Sequence, residues 1–266
     1  MRTLIVVPAR YGSTRFPGKP LMEIGGKSMV RRVAEAAARA GEIMGDADFI
    51  VATDDERIRS HCAESGIPVV MTPEDVATGT DRALAAVDAL GVSPEVVINL
   101  QGDAPFTPPE MVSEIGLAVL ESGDDAATPV VRLSWQALDD LREHKKTAPF
   151  SGTTCIVAPD GRAIWFSKNI IPALRKEDKL RLTAGLSPVL RHIGLYAYSL
   201  EALKRFASLP ESTYEVMEGL EQLRMLEAGM TIRVVEVPEP EVSISGVDTP
   251  EDLKLAERLL KEKGLL

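Results

Sequence analysis

Short runs of branched apolar residues alternate along this chain with longer stretches whose apolar positions recur every three or four residues. Residues 4–7, LIVV, read as a buried parallel strand that Pro8 stops. Residues 28–40 have the apolar spacing and alanine content of an amphipathic helix that closes near Gly41. A second strand is expected at 49–52, a helix at 55–65 and a third strand at 68–71. Strand, helix and strand at this spacing form a βαβ unit, so the first half predicts a parallel, doubly wound α/β sheet. An alanine-rich helix ending at Leu90 follows, then a central strand, VVINL at 96–100, and a helix starting near Pro108.

The rhythm changes from Ala126. Residues 127–133 predict a strand, and 138–146 a charged helix or loop. Residues 153–157 and 163–166 flank Pro159-Asp160-Gly161, a hairpin turn signal, so antiparallel pieces should join the parallel sheet. Residues 175–186 are polar and aperiodic, which predicts a mobile surface loop. Residues 191–198, RHIGLYAY, alternate as one strand with His192, Gly194 and Tyr196 on one face. Helices are expected at 200–208 and 214–228, the second placing Glu218, Glu221 and Gln222 within one turn; a solvated acidic face is the alternative there. A strand at 231–237 precedes a terminal helix running to about Glu262. Thr249 is its expected cap, with Pro250 at the first helical position and Asp252 three residues on.

Composition narrows the function. A chain of 266 residues with net charge -10, pI near 5.0 and mean hydropathy +0.01 does not suit a general nucleic-acid binder or a disordered segment. No window approaches 18 uninterrupted apolar residues, and Pro8, Arg10 and Arg15 interrupt any secretory core, so neither membrane insertion nor export is expected and the reading is cytoplasmic. Cys62 and Cys155 lie far apart without metal-like spacing and are expected to be buried small residues.

Chemistry gathers at the predicted strand ends, where open α/β sheets bind ligands. After the first strand come Arg10, Arg15 and Lys19 with Ser13, Thr14, Gly12 and Gly18. Cations supply charge for a polyanion, and glycines let backbone N–H groups approach its oxygens, so a triphosphate fits this loop although no Walker A pattern is present. A solvated basic loop is the alternative. The Thr78-Gly79-Thr80-Asp81-Arg82 turn opens a helix, either as a plain cap or with N–H groups turned to a ligand. After the central strand, Gln101-Gly102-Asp103 puts a carboxylate where it can hold Mg²⁺ beside phosphates, or else cap the helix near Pro108. Asp248 lies just before the terminal cap and is left over for a site.

Together PARYGSTRFPGKPL, ATDDERI, GTDR, NLQGDAP, WFSKNIIP, RHIGLYAY, LEQLRMLEAG and GVDTPEDL resemble, in order and spacing, the 3-deoxy-manno-octulosonate (Kdo) cytidylyltransferases of lipopolysaccharide-making bacteria. The resemblance spans Leu4 to Leu253. It implies a Rossmann-like nucleotidyltransferase fold: one α/β domain over 1–266, a mixed, mostly parallel sheet with helices on both faces, and a small antiparallel sugar-binding and dimerisation insertion near 134–230. It also implies a cytoplasmic homodimer that, with Mg²⁺, converts CTP and Kdo to CMP-Kdo and pyrophosphate. By that resemblance Arg10, Arg15 and Lys19 hold the triphosphate, with Pro8 and Ala9 beside them. Thr78, Gly79, Thr80, Arg82 and Gln101 surround the cytidine, and Asp103 and Asp248 bind metal. Lys168, His192, Tyr196, Glu218 and Gln222 hold the sugar acid, and Arg10, Lys19, Asp103 and Asp248 form the catalytic set.

Some positions depart from the family pattern. Thr153-Thr154 stands for Val-Lys, Lys168 for arginine, QGDAP for QGDEP, and residues 139–152 lack the usual proline-and-asparagine pattern. Lysine for arginine removes a bidentate carboxylate grip. Another acidic acceptor, such as an amino-Kdo, a sialic-acid-like sugar or a phosphonate, is therefore the alternative within the same chemistry. A non-catalytic nucleotide binder is a third reading, although it would not require both aspartates and Lys19.

Overall fold

The structure, a computed structural model, describes residues 1–12, 16–240, 246–247 and 249–264. Its first half follows the expected alternation. Strand β1 (Thr3–Pro8) leads through a minimal hairpin, β2 (Glu23–Ile24) and β3 (Lys27–Ser28), into helix α1 (Met29–Met44). Strand β4 (Ala47–Thr53), helix α2 (Glu56–Glu64) and strand β5 (Val69–Met71) follow, then α3 (Gly79–Leu90), β6 (Val96–Asn99) and α4 (Pro109–Ser122). Strands β4 and β6 flank β1 in parallel, and β5 extends the sheet beyond β4. Helix α1 runs past Gly41, where it was expected to close. A Cβ at Gly41 would stand 2.9 Å from the Ala47 carbonyl, so this glycine serves close packing, and the stop is Gly45 at φ 76°.

The second half adds antiparallel strands. Strand β7 (Ala126–Ser134) runs into α5 (Trp135–Thr147), then the hairpin β8 (Thr153–Val157) and β9 (Ala163–Ser167), α6 (Glu177–Thr183), β10 (Leu186–His192) and β11 (Tyr196–Ser199). Helices α7 (Leu200–Ser208), α8 (Thr213–Glu218) and α9 (Gln222–Glu227), strand β12 (Ile232–Glu236) and helix α10 (Pro250–Glu262) complete the chain. Among the described residues one ten-stranded sheet runs β5-β4-β1-β6-β11-β7-β10-β8-β9, with β12 also paired to β7. Strand β7 joins the two halves: Ala126 and Ala127 pair with β11, while Val130 to Ser134 pair with β10.

Two cores cover the sheet. Apolar residues of α1, α2 and α4 meet one face, and those of α3, α7 and α9 the other, each fully buried aliphatic contributing about 1.5–3 kcal/mol. A small third core joins Ile24, Met29, Val247, Ala256 and Leu260, with Phe106 against it, and so holds α10 beside the loop after β6. Cys62 and Cys155 are buried, and burial pushes their thiols up, to about 11 and about 12. Among the described residues no helix is long and apolar enough to cross a membrane.

Three expectations need correction. Residues 175–186 are not an aperiodic loop: they contain α6, which buries no side chain and is held instead by ion pairs of Arg142 and Arg181 with Glu177 and of Arg181 with Asp139. Charge clusters of this kind leave no apolar period to read. Residues 191–198 form two strands, because the chain leaves β10 after His192 and enters β11 at Tyr196 to pair with Asn99. Residues 214–228 form two helices, since Gly219 takes the left-handed conformation at φ 63°.

Candidate active site

Strands β1 and β6 end side by side, and the loops leaving them form the floor of the site. Leu100 donates its N–H to the Val6 carbonyl (2.9 Å), and Ala9 donates to Ala52 of β4 (2.8 Å). The turn that follows must be glycine: a Cβ at Gly102 would sit 2.2 Å from the Pro8 carbonyl. That approach brings Gln101 and Asp103 over the loop after β1. The start of α3 closes the third side, where a Cβ on Gly79 would lie 3.4 Å from Gln101 Oε1. Pro8, Ala9, Arg10, Lys19, Thr78, Gly79, Arg82, Gln101 and Asp103 thereby line one cavity of about 190 Å³.

Lys19 Nζ donates to Asp103 Oδ2 at 2.9 Å across this cavity, with the two side chains 13% and 34% exposed. Asp103 does not cap α4, whose N-cap is Pro108; that alternative falls away. Thr78 is a cap as well as a wall: its hydroxyl accepts from Asp81 N–H in a capping box, leaving the helix dipole directed at the cavity.

Arg82 and Thr80 are both buried at the start of α3. The Arg82 guanidinium touches the cavity but is 2% exposed, and its donors are used by Asp54 (2.6 Å), Thr72 Oγ1 (2.6 Å) and the Pro73 carbonyl. Asp54 neutralises its charge, and the pair braces the cavity wall. Thr80 is buried and does not line the cavity; its hydroxyl accepts from Asn99 Nδ2 (3.3 Å) and donates to Glu221 Oε2 (3.4 Å).

Arg15 and Asp248 lie outside the described residues, as do Ser13 and Thr14. The neighbours of Asp248 are described. Val247 donates its N–H to the Asp103 carbonyl (2.9 Å), Gly246 adjoins the same carbonyl, and Thr249 caps α10 in the expected capping box. The terminal segment thus converges on the loop after β6.

A second cavity, about 310 Å³, shares Gln101 and Asp103 with the first and continues along Arg191, His192, Ser151 and Gly152. Its apolar lining, Leu100, Met111 and Leu195, belongs to the α1 and α4 face. His192 stands where this cavity meets the opposite face. Its Nε2 lies 2.8 Å from Thr128 Oγ1 and 3.1 Å from the Tyr196 hydroxyl, and its ring packs against Phe166 at 5.0 Å. Burial and the charge of Lys168 push the imidazole down to about 3, so it is neutral at physiological pH. Tyr196 stays a neutral phenol: burial, Tyr198 and Glu221 all raise it. Burial lowers Lys168, against the opposing pull of Glu218.

Lys168, Tyr196, Glu218 and Gln222 line neither cavity. Glu218 accepts from Ser167 Oγ and from Lys168 N–H, both at 2.8 Å, and so grips the end of β9. Because the helix breaks at Gly219, Glu218 and Glu221 do not share a face. Glu221 turns instead to Thr80, and burial raises its carboxyl. Gln222 is buried, with Nε2 lacking a hydrogen-bond partner among the described residues. Sequence reasoning missed Glu221, Asn99 and Thr128 as site neighbours; Glu221 stood within LEQLR, but an unbroken helix would have placed it with Glu218.

No three His, Cys, Asp or Glu side chains among the described residues cluster to hold a metal. Mg²⁺ takes one or two carboxylates together with phosphate oxygens and water, and the partly exposed Asp103 suits that donor set.

Known proteins resemble this chain in sequence and fold. The cytidylyltransferase family model matches residues 4–232. A 3-deoxy-manno-octulosonate cytidylyltransferase from Maricaulis maris is 41% identical over the whole of both chains. One from Bacteroides thetaiotaomicron is 40% identical over 99% of this chain and 100% of its own. Among solved structures, a CMP:2-keto-3-deoxy-manno-octonic acid synthetase complexed with CTP superposes at TM-score 0.84, with 35% identity, covering 99% of this chain and 100% of the other. A Leptospira borgpetersenii cytidylyltransferase at TM-score 0.58 and 15% identity shares the fold. With these matches running end to end through the strand-end loops that build the cavities, the chain belongs to the 3-deoxy-manno-octulosonate cytidylyltransferase family.

Proposed function

We propose that this protein transfers CMP from CTP to the anomeric hydroxyl of Kdo, forming CMP-Kdo and releasing pyrophosphate. The observation that carries this reading is the junction of two cavities at Gln101 and Asp103, with Lys19 paired to Asp103 across it. The anomeric oxygen forms a bond to the α-phosphorus, the bond to the bridging oxygen of the β-phosphate breaks, and the hydroxyl proton leaves to solvent. Such a displacement needs positioning and charge neutralisation more than covalent help.

Lys19 and Arg10 face the phosphates and balance the charge on departing pyrophosphate, while Thr78 and Gly79 at the start of α3 flank the cytidine. Gln101, reaching both cavities, orients nucleotide against acceptor. Neutral His192, hydrogen-bonded to Thr128 and Tyr196, presents a fixed polar edge to the sugar acid. Mg²⁺, held by Asp103 and Asp248, would lower the pKa of the attacking hydroxyl and neutralise phosphate charge.

A homodimer completes the proposal. Strand β9 ends the sheet, Trp165 on it meets Tyr214 of α8 edge-on at 5.1 Å, and Tyr214, Val216 and Met217 of α8 are exposed apolar residues beside that contact. Light scattering should give twice the chain mass, and Met217→Glu should shift it toward the monomer.

Pyrophosphate release from CTP, measured with Kdo, an 8-amino-Kdo, a sialic acid and a phosphonate, tests the reaction. Turnover should require Mg²⁺ and be highest with Kdo. Good turnover with another acid and none with Kdo would reject the assignment.

A further inference from the structure

We propose that Lys145 is a positioning residue for the acceptor: its ammonium ties the loop after α5 to the end of β9 and thereby holds the main chain of Lys168 and the Ser151, Gly152 and His192 side of the second cavity in place. This rests on the reading of Lys168 and His192 as acceptor-side residues.

Lys145 Nζ donates to the carbonyls of Pro149 (3.3 Å), Gly152 (3.0 Å), Lys168 (2.6 Å) and Ser151. Three N–H donors are shared among four acceptors, a match for a charged ammonium. A lysine in the last turn of a helix ordinarily meets that helix's own terminal carbonyls or water. None of these four carbonyls belongs to α5, so the contact is a tether between separate segments. Burial and the charge of Lys168 both push the Lys145 pKa down, with Glu218 opposing; the carbonyl cup is what keeps the charge in place.

The tether reaches the acceptor side by two routes. Lys168 is gripped from both sides of its main chain, its carbonyl by Lys145 and its N–H by Glu218 (2.8 Å). Ser151 and Gly152 line the second cavity, and the next residue, Thr153, pairs with His192. Nothing in the tether touches the cavity of Lys19 and Arg10. Its loss should act on the acceptor and spare CTP.

The test compares Lys145→Met, which keeps length and removes charge, with Lys145→Arg, which keeps charge. Acceptor KM for Lys145→Met should rise about tenfold or more, CTP affinity titrated without acceptor should stay within about twofold, and Lys145→Arg should recover most of the loss. An unchanged acceptor KM in folded Lys145→Met, or an equal loss of CTP affinity, overturns the proposal. Should Lys145→Met not fold, Gly152→Ala displaces the same carbonyl with Lys145 intact, since Gly152 has φ 65° and a Cβ would stand 3.0 Å from Leu141 Cδ1. It should give the same selective rise, and wild-type acceptor KM there would also overturn it. If the wild type rejects Kdo, the proposed reaction fails on its own, and the variants are then compared on whichever acid it accepts.

Discussion

Asp103 and Lys19 stand 84 residues apart in sequence and 2.9 Å apart in space, as an ion pair across the first cavity. Asp103→Ala should therefore lower turnover by roughly 10²–10³-fold or more, as expected for losing a group that stabilises transferring phosphate charge, with the fold retained by circular dichroism. Arg82 makes a contrasting case. It lines the same cavity with its charge balanced by Asp54 in a nearly dry setting. Arg82→Met should destabilise the protein by about 3 kcal/mol in urea unfolding, because it leaves Asp54 poorly paired. Wild-type stability in that variant would mean that Asp54 is hydrated and the strut unimportant.

Helices deliver these residues through their ends more than their middles. The capping box of α3 is legible as Thr78 and Asp81, and that of α10 as Thr249 and Asp252, because a cap is a local contract between a side chain and N–H groups three residues away. The break between α8 and α9 is less legible: Gly219 within a helix-like pattern reads as a tolerated residue, and only the demand that Glu218 reach β9 while Glu221 reaches Thr80 makes its left-handed conformation necessary. Gly219→Ala should cost about 1–2 kcal/mol in thermal or urea unfolding. It should also raise acceptor KM, since both carboxylates would lose their directions. An α8–α9 break that tolerates alanine without either effect would show these directions to be set elsewhere.

Across the whole molecule, charge holds the outer strands to the parallel core. Burial works against the Asp124 carboxylate, but Arg162 at the hairpin turn and Arg233 of β12 hold its pKa below the usual carboxylate value. On α6, hydrogen bonds from Arg142 and Arg181 bring Glu177 to about 2. Both carboxyls have folded pKa values below the unfolded ones. Their stabilisation is complete above the unfolded values near 4 and is lost as pH falls through the folded values. His192 adds to the same trend at higher pH: it stays neutral when folded, with a value near 3 against 6.5 unfolded, so protonation of the unfolded chain costs stability as pH drops below about 6.5. Urea midpoints should fall steadily from pH 7 to pH 3.5, and His192→Phe should flatten the upper part of that slope. A midpoint independent of pH would contradict these pairings.

The local signals sufficed for the parallel half, where apolar runs, caps and loop chemistry are written within a few residues of one another. LIVV before PARYGSTRFPGKPL, and VVINL before QGDAP, already mark two strand ends bearing cations and a carboxylate. The same signals could not show that α6 is held by ions, that RHIGLYAY is split by a change of partner strand, or that Arg82 is spent on Asp54. Those outcomes depend on which distant segment arrives beside each residue. By itself the sequence determined the kind of sheet, the caps and which polar residues stand at the strand ends, because these obey short-range sterics and hydrogen bonding. Only the tertiary structure decided which charges face the cavities and which are consumed in holding them open, because pairing partners are chosen by packing across the sheet.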